Sequence, residues 1–430
     1  MVLEDDRAAI GPGLYFLVNN MSLSPPVAPS FPNWKKKTTF FLISQNISLF
    51  GSAVVGYAII WHITLETTSG LWMMLATLTF NIPSVLISLW AGVWADRYNR
   101  KRIIMIADAF VALATLAVAL AFCYGFKNLE LLLLASTFRS FGGGVQTPAV
   151  NAIYPQLVPA EHLARVQGLN QTAASFLMLL APVAGGLILG LMGLEMAFMV
   201  DVVTALAAIV ILGLTSIPRA EPGATESTFK EMSEGLKYVW GHRPIKLLIL
   251  CAAAFFFLVT PAGVLTPLMV ARSFGPEVWR LTANELVWSA ASLIGGLYVA
   301  RHGDFKDKPA VLAMCMGAFG LLFGLMGLAW NFALYLTLMG LAGFFIPLFI
   351  TAETVFIQQQ ADPAKLGRVF SISQILGSSA MPTAILIFGP LADVVSVQLL
   401  LLVSGVMMMA VGALYFKASR AAVQAGPEAR

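Results

Sequence analysis

The residues best placed to do chemistry in this 430-residue chain are charged groups stranded in apolar sequence. Arg139 lies near the middle of an apolar run over 129–150. A charge at that depth in a membrane costs at least about 3 kcal/mol on insertion scales, so it has to meet water or an opposite charge. Two carboxylates are candidates. Asp108 stands about 8 Å along the run that begins at 103, and Asp201 falls within the run 195–216. Either pairing has two readings: a staple between helices, or a cation that tunes a carboxylate to load and release a proton. Glu353, near one end of the run 331–353, either takes part in proton movement or snorkels to the surface. Uncharged polar residues within or near the runs, namely Gln45, Asn46, Asn81, Asn170, Gln171 and Gln374, are candidates to line a cavity. Trp61, Trp72, Trp90, Phe255, Phe256 and Phe257 offer apolar bulk, although most aromatics in such runs face lipid or its interface. Mixed amide and aromatic character suits a bulky amphipathic molecule.

Membrane helices are the elements that must position these groups. Hydrophobic residues make up 58% of the chain and charged residues 11%, against roughly a quarter charged in a soluble domain. Runs of about 20 apolar residues, each sufficient to cross a 30 Å hydrocarbon core, are expected at 38–61, 71–94, 103–124, 129–150, 168–191, 195–216, 246–269, 283–300, 310–329, 331–353, 369–391 and 396–416. The fold class this implies is an all-α membrane protein with twelve transmembrane helices in two pseudo-symmetric six-helix bundles.

Charge tests the count. Of 26 Lys and Arg, Lys127, Arg272 and Arg280 fall in the loops of one side, Arg139 falls inside a span, and the other 22 lie on the opposite side. Basic loops stay cytoplasmic, so both termini are expected inside. The net charge of +4 is then a topology signal and not a nucleic-acid footprint. Residues 1–32 open on Glu4, Asp5 and Asp6 and later carry Pro25, Pro26, Pro29 and Pro32, which suggests a disordered tail. The remaining division is a bundle over 33–217, a cytoplasmic linker over 218–245, a second bundle over 246–416 and a tail over 417–430. In the linker, Phe229, Met232, Leu236 and Val239 recur at helical spacing, as in an amphipathic surface helix. Cys123, Cys251 and Cys315 all fall within the expected spans and suggest packing, not disulfides. His62, His162, His242 and His302 show no metal spacing, and no nucleotide loop or catalytic triad spacing is present, which argues against an ATP-driven pump and against an enzyme.

The two halves repeat. Val158–Gln171 overlays Ala361–Gln374 at an offset of 203, matching Leu163 with Leu366, Arg165 with Arg368, Val166 with Val369 and Gln171 with Gln374. The same offset carries Gly92 onto Gly295 and Gly186 onto Gly389, the pattern of parallel repeats related about the membrane normal.

Short motifs complete the picture. Gly92, Asp96, Arg97, Arg100, Lys101 and Arg102 form a charged hairpin between two spans. Arg139 precedes the run Gly142–Gly144, and Ala181-Pro182-Val183-Ala184-Gly185-Gly186 lies in the fifth span. The hairpin resembles the inter-helix motif of the major facilitator superfamily, Arg139 and its glycines resemble that superfamily's helix-four motif, and the Pro182, Gly185, Gly186 group is similar to its antiporter motif, with Ala181 replacing the first Gly. Asn33-Trp34-Lys35, Thr147-Pro148-Ala149 and Val158-Pro159 resemble the macrolide-efflux and enterobactin-exporter branch. The resemblance covers about 33–416. It implies a proton-driven exporter of an amphipathic, macrolide-like molecule that works by alternating access as a monomer of the inner membrane and needs no cofactor. A siderophore or metabolite exporter and a non-transporting sensor or scaffold are the alternatives.

By the same resemblance the hairpin is a latch for the outward-open state. Asp96 would face the positive N-terminal end of a helix from the other half. The alternative is that its basic residues only fix topology. Asn99 stands where the family has a second Gly and suits a tight or left-handed turn. Val299 and Ala300 stand at the second-half positions equivalent to Asp96 and Arg97, so only the first copy is expected to latch. Pro182, Gly185 and Gly186 are expected to let helix five bend and pack closely, and Gly142–Gly144, with no preceding strand, reads as packing and not phosphate binding.

Overall fold

The computed structural model describes residues 33–217, 228–302, 305–362 and 365–424. The expected tail over 1–32 and part of the linker fall outside these. Fourteen helices follow in order: α1 Trp34–Thr67, α2 Gly70–Arg97, α3 Arg100–Cys123, α4 Leu129–Leu157, α5 Ala160–Leu191, α6 Leu194–Leu214, α7 Thr228–Gly241, α8 Arg243–Val264, α9 Thr266–Ser273, α10 Val278–His302, α11 Lys308–Gly327, α12 Phe332–Gln360, α13 Leu366–Val394 and α14 Val397–Gln424. No strand occurs among the described residues.

Ten helical segments are long and apolar enough to cross a membrane, against the twelve expected from sequence. The two long helices that fall short are α4 and α10, each diluted by polar residues: Arg139, Gln146 and Asn151 in α4, and Arg280, Asn284 and Glu285 in α10. The seventh expected span is two helices. α8 ends after Pro261, and α9 restarts with Pro267 in its first turn, where a missing amide hydrogen is harmless. Several helices also run past the apolar windows. α5 starts at Ala160 and not at 168, because charged residues such as Glu161 and Arg165 can continue a helix beyond the hydrocarbon core.

Side chains fix several helix starts. Asn331 accepts from the Leu334 amide at 2.8 Å and Asp307 from the Ala310 amide at 3.1 Å. Asn99 does the same for α3, accepting from the Arg102 amide at 3.3 Å with φ −67°. Of the tight or left-handed turn expected at Asn99, the tight form is the one adopted: only Tyr98 and Asn99 join α2 to α3, and Asn99 caps α3 without a left-handed backbone.

Helices α1–α6 pack on one another and α8–α14 on one another. The second set buries an aromatic core in which Phe255 stacks on Phe349 at 4.2 Å. α7 packs on α13 and α8, with Val239 buried and the Tyr238 hydroxyl accepting from the Asp362 amide at 2.9 Å. The sets meet through α5 against α10 and α2 against α13. Among the described residues, the glycines packed at these two meetings lie toward the end opposite the basic loops. A side chain at Gly186 would strike Thr282, and one at Gly389 would strike Met74 and the Gly70 carbonyl. These are the two glycines matched by the repeat, and each sits at one of the two junctions.

Candidate functional site

Arg139 and Asp201 form a buried ion pair. Four helices build it. Arg139 of α4 donates to Asp201 of α6, to the Thr115 hydroxyl of α3 at 2.7 Å and to the Ser52 carbonyl of α1 at 3.1 Å. Asp201 also accepts from Thr115 at 3.0 Å and from the Ser52 hydroxyl at 3.2 Å. Close backbone approach makes this possible. A Cβ on Gly51 would collide with Thr204, so glycine lets α1 and α6 press together beside the pair.

Asp108, the other candidate partner, is occupied differently. Ser48 of α1 and Gln146 of α4 donate to its Oδ1 at 2.8 and 3.1 Å. Its Oδ2 is buried with no hydrogen-bond partner among the described residues. Asp108 and Arg139 line one cavity of about 610 Å³ within the first helix set. Its lining runs from Arg139, ten residues into α4, to Tyr154, three residues from that helix's basic end. Of the six polar candidates, Gln45, Asn46 and Asn170 line it, with Asn46 donating to Asn170 at 3.3 Å. Asn81 instead bonds the Thr77 carbonyl of its own helix, while Gln171 and Gln374 are exposed and not part of the lining. The Asn46 Oδ1 and Tyr154 hydroxyl atoms also lack hydrogen-bond partners among the described residues. Gln146, which ties Asp108 to Gln45, is not among the residues the sequence patterns single out; its three-residue spacing from Gly143 in a polar-diluted helix was the available signal.

Glu353 of α12 accepts from Ser373 of α13 at 2.9 Å, a part-buried bond and not a snorkel to the surface. A further carboxylate, Glu285 in α10, was also not singled out. It is half-buried, and its neighbour Asn284 donates to it at 3.4 Å and accepts from the Tyr335 hydroxyl of α12 at 3.0 Å.

Gly185 and Gly186 hold α5 against both neighbours. At Gly185 an added Cβ would stand 3.2 Å from the Val54 carbonyl, and at Gly186 it would strike Thr282 and come within 3.3 Å of Trp61. Pro182 is buried one turn away. In the glycine run, Gly142 meets Val111 and Gly144 meets Ser84 and Ile87, while Gly143 faces the cavity.

In the hairpin, Arg100 donates to the Ala95 and Ala152 carbonyls at 2.8 Å, and Lys101 to those of Gly213 and Thr215 at 2.7 and 2.9 Å. These bonds stay within the first helix set. Gly92 has open space where a Cβ would stand, and Arg97 and Arg102 are exposed. The Asp96 side chain lies outside the described residues.

The far end carries a charged junction instead. Asp393, at the end of α13, accepts from the Ser69 hydroxyl at 2.8 Å and from the amides of Gly70 and Leu71 at 2.6 and 2.9 Å, the first turn of α2. Arg272 joins them, donating to Asp393 at 2.9 Å, to the Thr68 carbonyl at 3.0 Å and to the Ala392 carbonyl at 2.6 Å.

An all-helical, multi-pass membrane protein with a polar cavity lined by the first of its two helix sets has the build of a transporter. The chain belongs to the major facilitator superfamily, whose family model matches residues 41–301. It is therefore a transporter and not an enzyme. Macrolide efflux protein A of Streptococcus pyogenes is 26% identical over 386 residues, covering 89% of this chain and 95% of that protein. Enterobactin exporter EntS of Shigella boydii is 23% identical over 388 residues, covering 86% and 90%. Among solved structures, a bacterial homologue of the iron transporter ferroportin in an inward-facing state has a TM-score of 0.68 at 17% identity, covering 89% of this chain and 98% of that one. A bacterial homologue of the lysosomal transporter Spinster gives 0.65 at 16%, covering 91% and 98%. These likenesses show the fold.

Proposed function

We propose that this protein is a proton-coupled exporter of an amphipathic small molecule, working by alternating access in the inner membrane. Twelve spans, counting α8 and α9 as one and adding α4 and α10, form six-helix halves joined by the α7 linker. The basic loops and both termini lie on the cytoplasmic side. On that orientation the halves are sealed outside and the cavity extends toward the cytoplasm, where an exporter loads its cargo. The observation that carries the reading is Asp108: a buried carboxylate with a free oxygen, in a cavity beside a neutralised Arg139–Asp201 pair. Asp108 is the group we assign to carry the proton, with Arg139–Asp201 holding the surrounding helices and Glu353 as a second site.

Likeness to macrolide efflux protein A supports a macrolide-like cargo; likeness to EntS supports a siderophore as the alternative. Proteoliposomes with an imposed proton gradient, challenged with both compound classes, test this. Cargo-dependent proton movement is expected, and it should vanish in Asp108→Asn. Gradient-independent flux would remove proton coupling, and no flux with any compound would favour the sensor.

A further inference from the structure

The four cations of the hairpin divide by what they touch. Arg100 and Lys101 are spent on backbone carbonyls of their own helix set. Arg97 and Arg102 are exposed and pair with no carboxylate among the described residues. Both stand on a groove of about 640 Å³, none of whose lining residues lines the cavity. Packing explains it. α2 and α3 each pack along α4 but meet each other little, which leaves a furrow between them. Trp94 comes to it from α2, Ile106 and Phe110 from α3, and Phe141 from α4, and all four are exposed.

The groove is charged at one end only. From Arg102 to Phe110 is eight residues of α3, about 12 Å at 1.5 Å each, and the lining residues between them are apolar. Trp94 and Tyr98 flank Arg97, two residue types that settle where head groups meet hydrocarbon. Two guanidinium groups over an apolar furrow match a phosphodiester that carries acyl chains. Guanidinium grips phosphate oxygens in pairs, and basic pockets between membrane helices on the cytoplasmic side hold anionic head groups. Topology asks only that these charges lie on one side of the membrane; it does not ask that two of them crown a groove. A free phosphate would leave the furrow unused, and a zwitterionic lipid would bring its own cation against two more.

We propose that this groove binds one anionic phospholipid, its phosphate held by Arg97 and Arg102 and an acyl chain lying along α3 as far as Phe110. The lipid ties α2 to α3 where protein contact between them is sparse. The site stands whatever the cargo is, and whether or not transport is coupled to protons.

Native mass spectrometry of the purified, delipidated full chain in detergent reads the site. The probes are dioleoyl phosphatidylglycerol, dioleoyl phosphatidylethanolamine, which has the same chains, and glycerol phosphate, which has none. One phosphatidylglycerol should be retained with about tenfold preference over phosphatidylethanolamine, and glycerol phosphate should not displace it. Arg97→Gln/Arg102→Gln should abolish that preference, whereas Arg97→Lys/Arg102→Lys, which keeps the charge, should stay within about threefold of wild type. Lys35→Gln/Lys36→Gln removes two charges from the same side but away from the groove, and should leave the preference unchanged. Each variant is first checked for an unchanged size-exclusion profile, and the lysine variant guards against a folding defect at the hairpin. Equal retention of the two lipids, or wild-type preference in the Arg97→Gln/Arg102→Gln variant, overturns the inference. So does an equal loss in Lys35→Gln/Lys36→Gln, which would mean surface attraction alone, and so does displacement by glycerol phosphate, which would make this a site for a free phosphate ester.

Discussion

At the scale of single residues, the Arg139–Asp201 pair makes the sharpest prediction. Arg139→Ala leaves Asp201 buried without its cation, which costs about 3–5 kcal/mol where a buried pair loses one partner. Thermal melting of the solubilised protein should fall markedly in Arg139→Ala and recover in Arg139→Met/Asp201→Leu, because apolar pairs of similar volume often replace buried ion pairs at little cost. Transport should stay lost in the double variant; a double variant that both melts and transports like wild type would make the pair a staple alone. The sequence carried part of this. A mid-helix Arg demanded a partner, but position along a helix gives depth and not direction around its axis. Asp108 and Asp201 were therefore both open, and only the packing of α1, α3, α4 and α6 turned Asp201 toward Arg139. Glu285 was hidden for another reason. The eighth expected span, 283–300, put it at a boundary, where a carboxylate needs no explanation, whereas α10 begins at Val278 and carries it a full two turns inward.

At the scale of elements, the glycines and a cap hold the non-basic end closed. Gly70 and Gly389 let α2 and α13 touch backbone to backbone, so Gly70→Val should push them apart. Asp393→Asn removes the ion pair with Arg272 and the charge at the α2 N-terminus, interactions of about 1 kcal/mol each at partly exposed sites. With Cys123, Cys251 and Cys315 replaced, a Thr282→Cys reporter at the α5–α10 junction should react with maleimide several-fold faster in either background. An unchanged rate would mean the junction does not depend on α2 and α13. The repeat was legible in the amino-acid pattern alone, since Gly186 and Gly389 share one offset, and the two glycines occupy the two junctions. The cap was not legible: Asp393 and Ser69 are 324 residues apart, and nothing in either local sequence names the other.

At the scale of the molecule, α2 and α13 run antiparallel, so each presents a negative C-terminal end to the other's positive N-terminal end. At the closed end this contact is made, with Asp393 on the first turn of α2. At the basic end, the hairpin after α2 spends its described bonds on its own helix set, and a Cβ at Gly92 would stand in open space. We propose that Asp96 does for α13 what Asp393 does for α2. The pair would then act as a toggle in which only one end is capped at a time. Energetically this needs little, because a bias of about 1.4 kcal/mol shifts a two-state population tenfold. Spin labels at Ala160→Cys and His302→Cys span the basic end across the two sets, and their distance distribution reads the populations. Asp96→Asn should enrich the long distance of the arrangement described here, Asp393→Asn should enrich the short one, and the double variant should return toward wild-type populations. Both single variants should transport slowly, since a cycle stalls when either state is too stable. If Asp96→Asn leaves the distribution unchanged, the hairpin serves topology alone, and the seal at the far end is the sole lock between the halves.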